Sequence, residues 1–197
     1  LKMVYESGKP VVLVVLSGSA LSFNWADEHI PAIIQGWYPG AVGGKAIANI
    51  LFGDVSPEGK LPLTFYHSID ELPEFTDYSM KGRTYRYMKQ DAMYPFGYGL
   101  SYTAFTKKMA AMTKTADGVT VTVDVTNTGD CAGNDAVLLF AEAPQGKLGK
   151  PARELVAFGK TGCLQPGQSE MVTLTATNEQ MASYDDSGAT GHKSCYV

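Results

Sequence analysis

The hydrophobic pattern of this chain changes its period once, near Phe105, and that change restricts the fold more than any other feature. Before it stands "VVLVVL", residues 11 to 16, an unbroken apolar run that ends in Ser17, Gly18 and Ser19. A strand that is apolar on both faces must be covered on both, as a central parallel strand of a layered α/β domain is. After it stands "GVTVTVDVTNTG", in which Val119, Val121, Val123 and Val125 alternate with polar residues. This period of two describes a half-buried antiparallel strand closing in a turn. "DAVLLFAEA", "ARELVAFGKTG" and "QSEMVTLTAT" follow at the spacing of a small β-sandwich, with "QPGQ" as a turn between the last two. The predicted class is α/β followed by all-β, with residues 1–105 in the first part and 106–197 in the second.

Within the first part, "SFNWADEHIPAIIQGWYPG" predicts a short crossover and a second apolar run from Ala32 to Ile34, ended by Pro39 and Gly40. From Gly43, the residues Ala46, Ile47, Ile50 and Leu51 recur on one helical face, and Gly53 with Asp54 supplies the stop. The spacing of Gly40, Gly43 and Gly44 fits neither a dinucleotide fingerprint nor a phosphate loop, so these glycines read as packing residues. "VSPEGKLPLTF" predicts a turn feeding a strand over Leu61 to Phe65. The long stretch from Tyr66 to Phe105 is rich in tyrosine, proline and glycine; loops of such length in compact domains are functional or pinned to a surface.

Charge and composition narrow the function classes. A formal charge of -4 offers no basic surface for nucleic acid and no polybasic membrane anchor, and no apolar run approaches the roughly 18 to 20 residues that span a bilayer. Neither partner is expected. No leader of charged, apolar and small residues follows Leu1, and the chain reads as the later part of something longer. Cys131, Cys163 and Cys195 cannot all pair within one chain and lack zinc-knuckle spacing, so they read as free thiols. This leans towards a reducing compartment, a bacterial cytoplasm, with no metal and no cofactor.

Residue types alone do not compose a catalytic site. His29, His67 and His192 are far apart, and "LSGSAL" is not a nucleophile elbow, which leaves a triad on Ser17 or Ser19 as a remote alternative. The adjacent pairs Asp27-Glu28, Asp70-Glu71 and Asp185-Asp186 read as solvated surface charge. More suggestive is the crowding of Tyr78, Tyr85, Tyr87, Tyr94, Tyr98 and Tyr102 with Arg83 and Arg86. Sugar rings bind on aromatic faces beside charged hydrogen-bonding groups, although tyrosines also pack loops onto sheets.

Longer motifs add a resemblance. "GKPVVLVVLSGSAL", "AIIQGWYPGAVGGKAIANILFGDVSPEGKLPLTF", "GRTYRY" and "YPFGYGLSYTAF", in that order, resemble the C-terminal α/β-sandwich domain of glycoside hydrolase family 3. "VTNTGDCAGNDAVLLF", "KPARELVAFGKTGCLQPGQS" and "ASYDD" resemble the fibronectin type III-like, immunoglobulin-like module that follows it in many members. The resemblance implies a partial α/β-sandwich domain over 1–105 and a fibronectin-like domain over 106–197 that is cut short, since a further "GxYxVxVG"-type strand would follow. It further implies part of a retaining exo-β-glycosidase that removes terminal β-D-xylosyl or β-D-glucosyl residues from oligosaccharides or from aryl or alkyl β-glycosides. The catalytic aspartate, on an N-terminal barrel, and the acid/base glutamate would both lie upstream of Leu1, on a portion that could be a separate chain. No residue of this chain is then catalytic. Asp77, Tyr78 and Arg83 are the candidates for the rim of a sugar site, and "PFGYGLSY" for a strut joining the two domains. The alternative is a non-catalytic carbohydrate-binding or interaction module that works alone.

Overall fold

The computed structural model describes every residue from Leu1 to Val197. Its contacts divide the chain into two units that alternate along the sequence. Leu1–Val55, Leu61–Thr84 and Met88–Tyr98 form the first; Ser56–Lys60, Tyr85–Tyr87 and Gly99–Val197 form the second.

In the first unit, helix α1 (Lys2–Tyr5) precedes strand β1 (Val12–Val15), helix α2 (Asn24–His29), strand β2 (Ala32–Gln35) and helix α3 (Gly43–Leu51). β1 and β2 pair in parallel, from Val12 opposite Ala32 to Val15 opposite Gln35. The strand, crossover and parallel strand form as expected, but the sheet has these two strands alone and β1 is half-buried, with Val12 45% exposed, so it is not the central strand covered on both faces that the apolar run predicts. α3 places Ile47 and Ile50 on its half-buried side and ends where the N–H of Phe52 donates to the Ala48 carbonyl and Gly53 turns to φ +80°. Upstream, the chain doubles back so tightly that a Cβ on Gly43 would lie 2.4 Å from Pro39 Cβ. That glycine makes room for its own turn.

The strand expected over Leu61 to Phe65 does not form. Only Phe65 bridges Tyr94, its N–H donating to the Tyr94 carbonyl at 2.9 Å, while Leu61 exchanges hydrogen bonds with Tyr98 and Gly97. Pro62 has no N–H to offer a ladder, which leaves isolated contacts in place of a strand. Phe65 is nevertheless the centre of this unit. It is fully buried, with the rings of Phe23, Tyr94 and Trp37 at 6.0, 6.0 and 6.1 Å. Beyond it the chain is irregular apart from one 3₁₀ turn (Ile69–Glu71) and helix α4 (Thr84–Tyr87), whose last three residues belong to the second unit.

The second unit is a sandwich. Strand β3 (Phe105–Thr115) pairs antiparallel with β4 (Gly118–Asn127), which pairs with β7 (Ser169–Thr177); β5 (Ala136–Ala141) and β6 (Glu154–Lys160) form the facing sheet. Val125, Val172 and Leu174 from one sheet meet Val137, Leu139 and Ala157 from the other, with Leu164 closing the core. Three threonines of β4 meet hydroxyls directly across the ladder: Thr120 with Thr175, Thr122 with Thr173, Thr126 with Ser169. Helix α5 (Asn178–Met181), opened by a Thr177–Gln180 capping box, leads to the short pair β8 (Tyr184–Asp185) and β9 (Cys195–Tyr196).

Candidate functional site

Asp77, Tyr78 and Arg83 share one loop of the first unit. The N–H of Asp77 donates to the Glu74 carbonyl at 2.9 Å, and its Oδ1 accepts the Ser79 N–H at 2.8 Å, a side-chain turn that aspartate makes readily. The loop closes as the Arg83 N–H donates to the Met80 carbonyl, with Gly82 at φ +74°, and Arg83 Nη2 donates to the main-chain carbonyl of Asp77. Thr84 follows in the left-handed region, its N–H held by Tyr66 Oη at 2.7 Å. Asp77 and Arg83 are therefore brought together. Tyr78 lies between them in sequence and is 87% exposed, and so is Phe75 at 91%.

Electrostatics fix the state of this loop. The Ser79 amide, and next its hydroxyl, hold the Asp77 carboxyl below its ordinary range, with smaller contributions from the positive charges of Arg83 and Lys81. An ionised acceptor, a guanidinium and two exposed aromatic faces are thus presented on one short loop. Such a set can hold a polyol by hydrogen bonds and stacking. Phe75 escaped the reading of the sequence because the aromatic crowding there is a crowding of tyrosines.

The other candidates have local partners. His29 Nδ1 sits 2.8 Å from the Trp25 carbonyl and His67 Nδ1 sits 3.3 Å from Asn24 Oδ1. Ser17 Oγ donates to the Ser19 carbonyl and accepts from Gln35 Nε2, with no histidine at either bond. Of the carboxylates expected to be solvated surface charge, Asp27 is exposed but engaged, and Asp185 is not on the surface at all. Asp27 accepts the phenol of Tyr94, whose proton is held far above its ordinary range by burial first and by Asp27 second. Asp185 is fully buried and accepts from Ser187 Oγ, the amides of Gly188, Ala189 and Thr190, and Thr190 Oγ1. Those bonds, led by Thr190, lower its pKa.

Residues 1–102 match the glycosyl hydrolase family 3 C-terminal domain, and residues 135–191 match the fibronectin type III-like domain. The chain belongs to glycoside hydrolase family 3. It is 42% identical to a xylan 1,4-beta-xylosidase of Xylanibacter ruminicola, over 94% of this chain and 21% of that protein. A beta-glucosidase A of Butyrivibrio fibrisolvens is 38% identical over 95% of this chain and 26% of its own length. The solved structure of a beta-glucosidase from Paenibacillus barengoltzii superimposes with a TM-score of 0.84 at 40% identity, covering 94% of this chain and 22% of that one. The chain thus spans about a quarter or less of these relatives. It matches the C-terminal portion of glycoside hydrolases, an α/β domain followed by a fibronectin-like sandwich.

Proposed function

We propose that this chain is the C-terminal portion of a retaining exo-β-glycosidase that hydrolyses terminal β-D-xylosyl or β-D-glucosyl residues, divided near Phe105 into the α/β domain and the fibronectin-like domain. The ordered match of both domains, with relatives named both β-xylosidase and β-glucosidase, carries this reading. The retaining route needs one carboxylate as nucleophile and a second as acid and then base, about 5 to 5.5 Å apart. Those two groups are assigned to the N-terminal portion of the enzyme, supplied in the same or a separate chain. Asp77, Tyr78 and Arg83 are assigned to the rim of the sugar site. Their loop supplies an ionised acceptor, an exposed ring and a donor. The substrate class is an oligosaccharide or an aryl or alkyl β-glycoside.

The test joins this chain to the barrel portion. Alone, the 197-residue chain should release no 4-nitrophenol from the 4-nitrophenyl β-xyloside or β-glucoside; the joined enzyme should. In the joined enzyme, Tyr78→Ala and Arg83→Ala should raise KM more than they lower kcat, as losses of ground-state binding do. Hydrolysis by the pure chain alone would overturn the assignment of both carboxylates elsewhere.

A further inference from the structure

We infer that Tyr66 is a positioning residue for the sugar site proposed above: its phenol, by holding the Thr84 N–H, closes the loop that carries Asp77, Tyr78 and Arg83. The consequence for sugar binding rests on that reading; the geometry does not. Tyr66 and Thr84 stand 18 residues apart, at the two ends of the loop and in the same unit, and Oη accepts the N–H at 2.7 Å. Thr84 opens α4, where a helix leaves its first N–H groups without partners of its own, and Arg83 before it supplies no side-chain cap. The phenol takes that place.

Tyr66 is itself fixed from both sides. Before it, Phe65 is fully buried against Phe23 and donates its N–H to the Tyr94 carbonyl. Its own carbonyl accepts from Ser22 Oγ at 3.0 Å; the next carbonyl, of His67, accepts from Asn24 Nδ2 at 2.7 Å, and the His67 N–H donates to Glu71 Oε2 at 3.2 Å. The phenol is thus a fixed point presented by the packed part of the first unit. At the other end the chain needs one. Thr84 lies at φ +56°, a region that a β-branched residue occupies only where its surroundings hold it there. Arg83 depends on that turn. Its Nη2 donates to the Asp77 carbonyl while its Nε is buried without an acceptor, so the guanidinium has little of its own to hold it and follows the main chain at residues 83 and 84.

Amide exchange followed by NMR on the 197-residue chain tests the closure. In Tyr66→Phe, which keeps the ring and removes the acceptor, the amides of Ser79, Arg83 and Thr84 should exchange about two- to ten-fold faster, the range that one net hydrogen bond gives. The amides of Leu61, Phe65 and Gly97, bonded within the same unit, should keep their rates. With Thr84→Gly in place, positive φ needs no holding, and the same substitution should change Ser79 and Arg83 by less than about half as much. In the enzyme joined to its barrel portion, Tyr66→Phe should raise KM about two- to ten-fold with a smaller fall in kcat. It should add nothing once Arg83→Ala is present, because it acts through that residue. Unchanged loop exchange, a rise shared with Leu61, Phe65 and Gly97, an equal rise with Thr84→Gly, or a KM effect that adds in full to that of Arg83→Ala would overturn the inference. Faster loop exchange with KM unmoved by Tyr66→Phe and by Arg83→Ala alike would leave the closure standing and overturn the sugar-site reading.

Discussion

Asn127 lies at the end of β4, fully buried, and all four hydrogen-bonding positions of its amide are used. Oδ1 accepts from Thr103 Oγ1 at 2.6 Å and from the Gly129 N–H at 3.1 Å; Nδ2 donates to the carbonyls of Cys131 and Leu164, both at 2.8 Å. One side chain thus ties three turns of the sandwich together. A hydrogen bond contributes about 0.5 to 1.5 kcal/mol net, and a buried partner left without one costs more. The Leu164 carbonyl keeps the Gly133 N–H at 3.1 Å, which softens one of the four losses. Asn127→Ala should therefore destabilise by about 3 kcal/mol, a large part of the roughly 5 to 15 kcal/mol that holds a domain folded. Asn127→Asp, nearly identical in shape, should be worse: it turns an acceptor towards two carbonyl oxygens and buries a charge. Urea melts followed by far-UV circular dichroism weight the sandwich, while tryptophan emission reports the first unit, where Trp25 and Trp37 both lie. An alanine variant within about 0.5 kcal/mol of the parent, or an aspartate variant that melts no earlier than the alanine one, would refute this account.

Phe65→Ala, at the fully buried centre of the first unit, should cost about 3 to 5 kcal/mol and move the Trp37 emission midpoint; no movement would contradict the packing described. Asp185 has its pKa lowered on folding, so its stabilisation is present above the unfolded value of about 3.9 and is lost as pH falls through the folded one. Asp185→Asn should be less stable at neutral pH and should lose less than the parent on acidification below about pH 4; parallel acid limbs would refute it. Tyr94 is raised on folding, so its contribution is intact below the unfolded value of about 10 and is lost as pH climbs through the folded value. Absorbance at 295 nm should show one late-titrating phenol in the parent and none in Tyr94→Phe, with Asp27→Asn bringing it only part of the way down because burial is the larger cause.

The elements legible in the sequence are those whose own residues carry the period. β4 and β7 alternate, "VVLVVL" does not, and α3 repeats at three and four; each forms where its pattern places it. β3 was missed. Its sequence, FTKKMAAMTKT, holds lysine, alanine and methionine where β-branched residues would be expected, and nearly all of it is exposed. Such a strand is recruited by the ladder of β4, with Phe105 opposite Asn127 and Thr115 opposite Gly118, and its lysines suit an edge that must not pair further. The reverse holds at Leu61 to Phe65, where apolar residues suggest a strand and Pro62 prevents one.

The candidate site was legible as a set of residue types and illegible as a geometry. Asp77 and Arg83 are six apart, close enough for a loop to join them, but the bond runs from the guanidinium to the Asp77 main chain, and no side-chain inventory reports that. Asp185 was read as surface charge because an adjacent acidic pair usually is; its five donors come from Ser187, Gly188, Ala189 and Thr190, small and hydroxyl residues whose service to one carboxylate needs the turn to be folded first. The ion pairs at the two ends of β6 lie furthest from view. Glu58 meets Lys160 across 102 residues of sequence, and Arg86 meets Glu154 across 68. Periodicity measures what neighbours do together, and contacts of that separation exist only after the sandwich has formed. "SPEGK" and "TYRY" could be read from the sequence as turn and aromatic segments, while their capture by one strand is a property of the folded second unit. The physical order is therefore that β6 must be in its ladder before Glu58 and Arg86 can find their partners at its two ends.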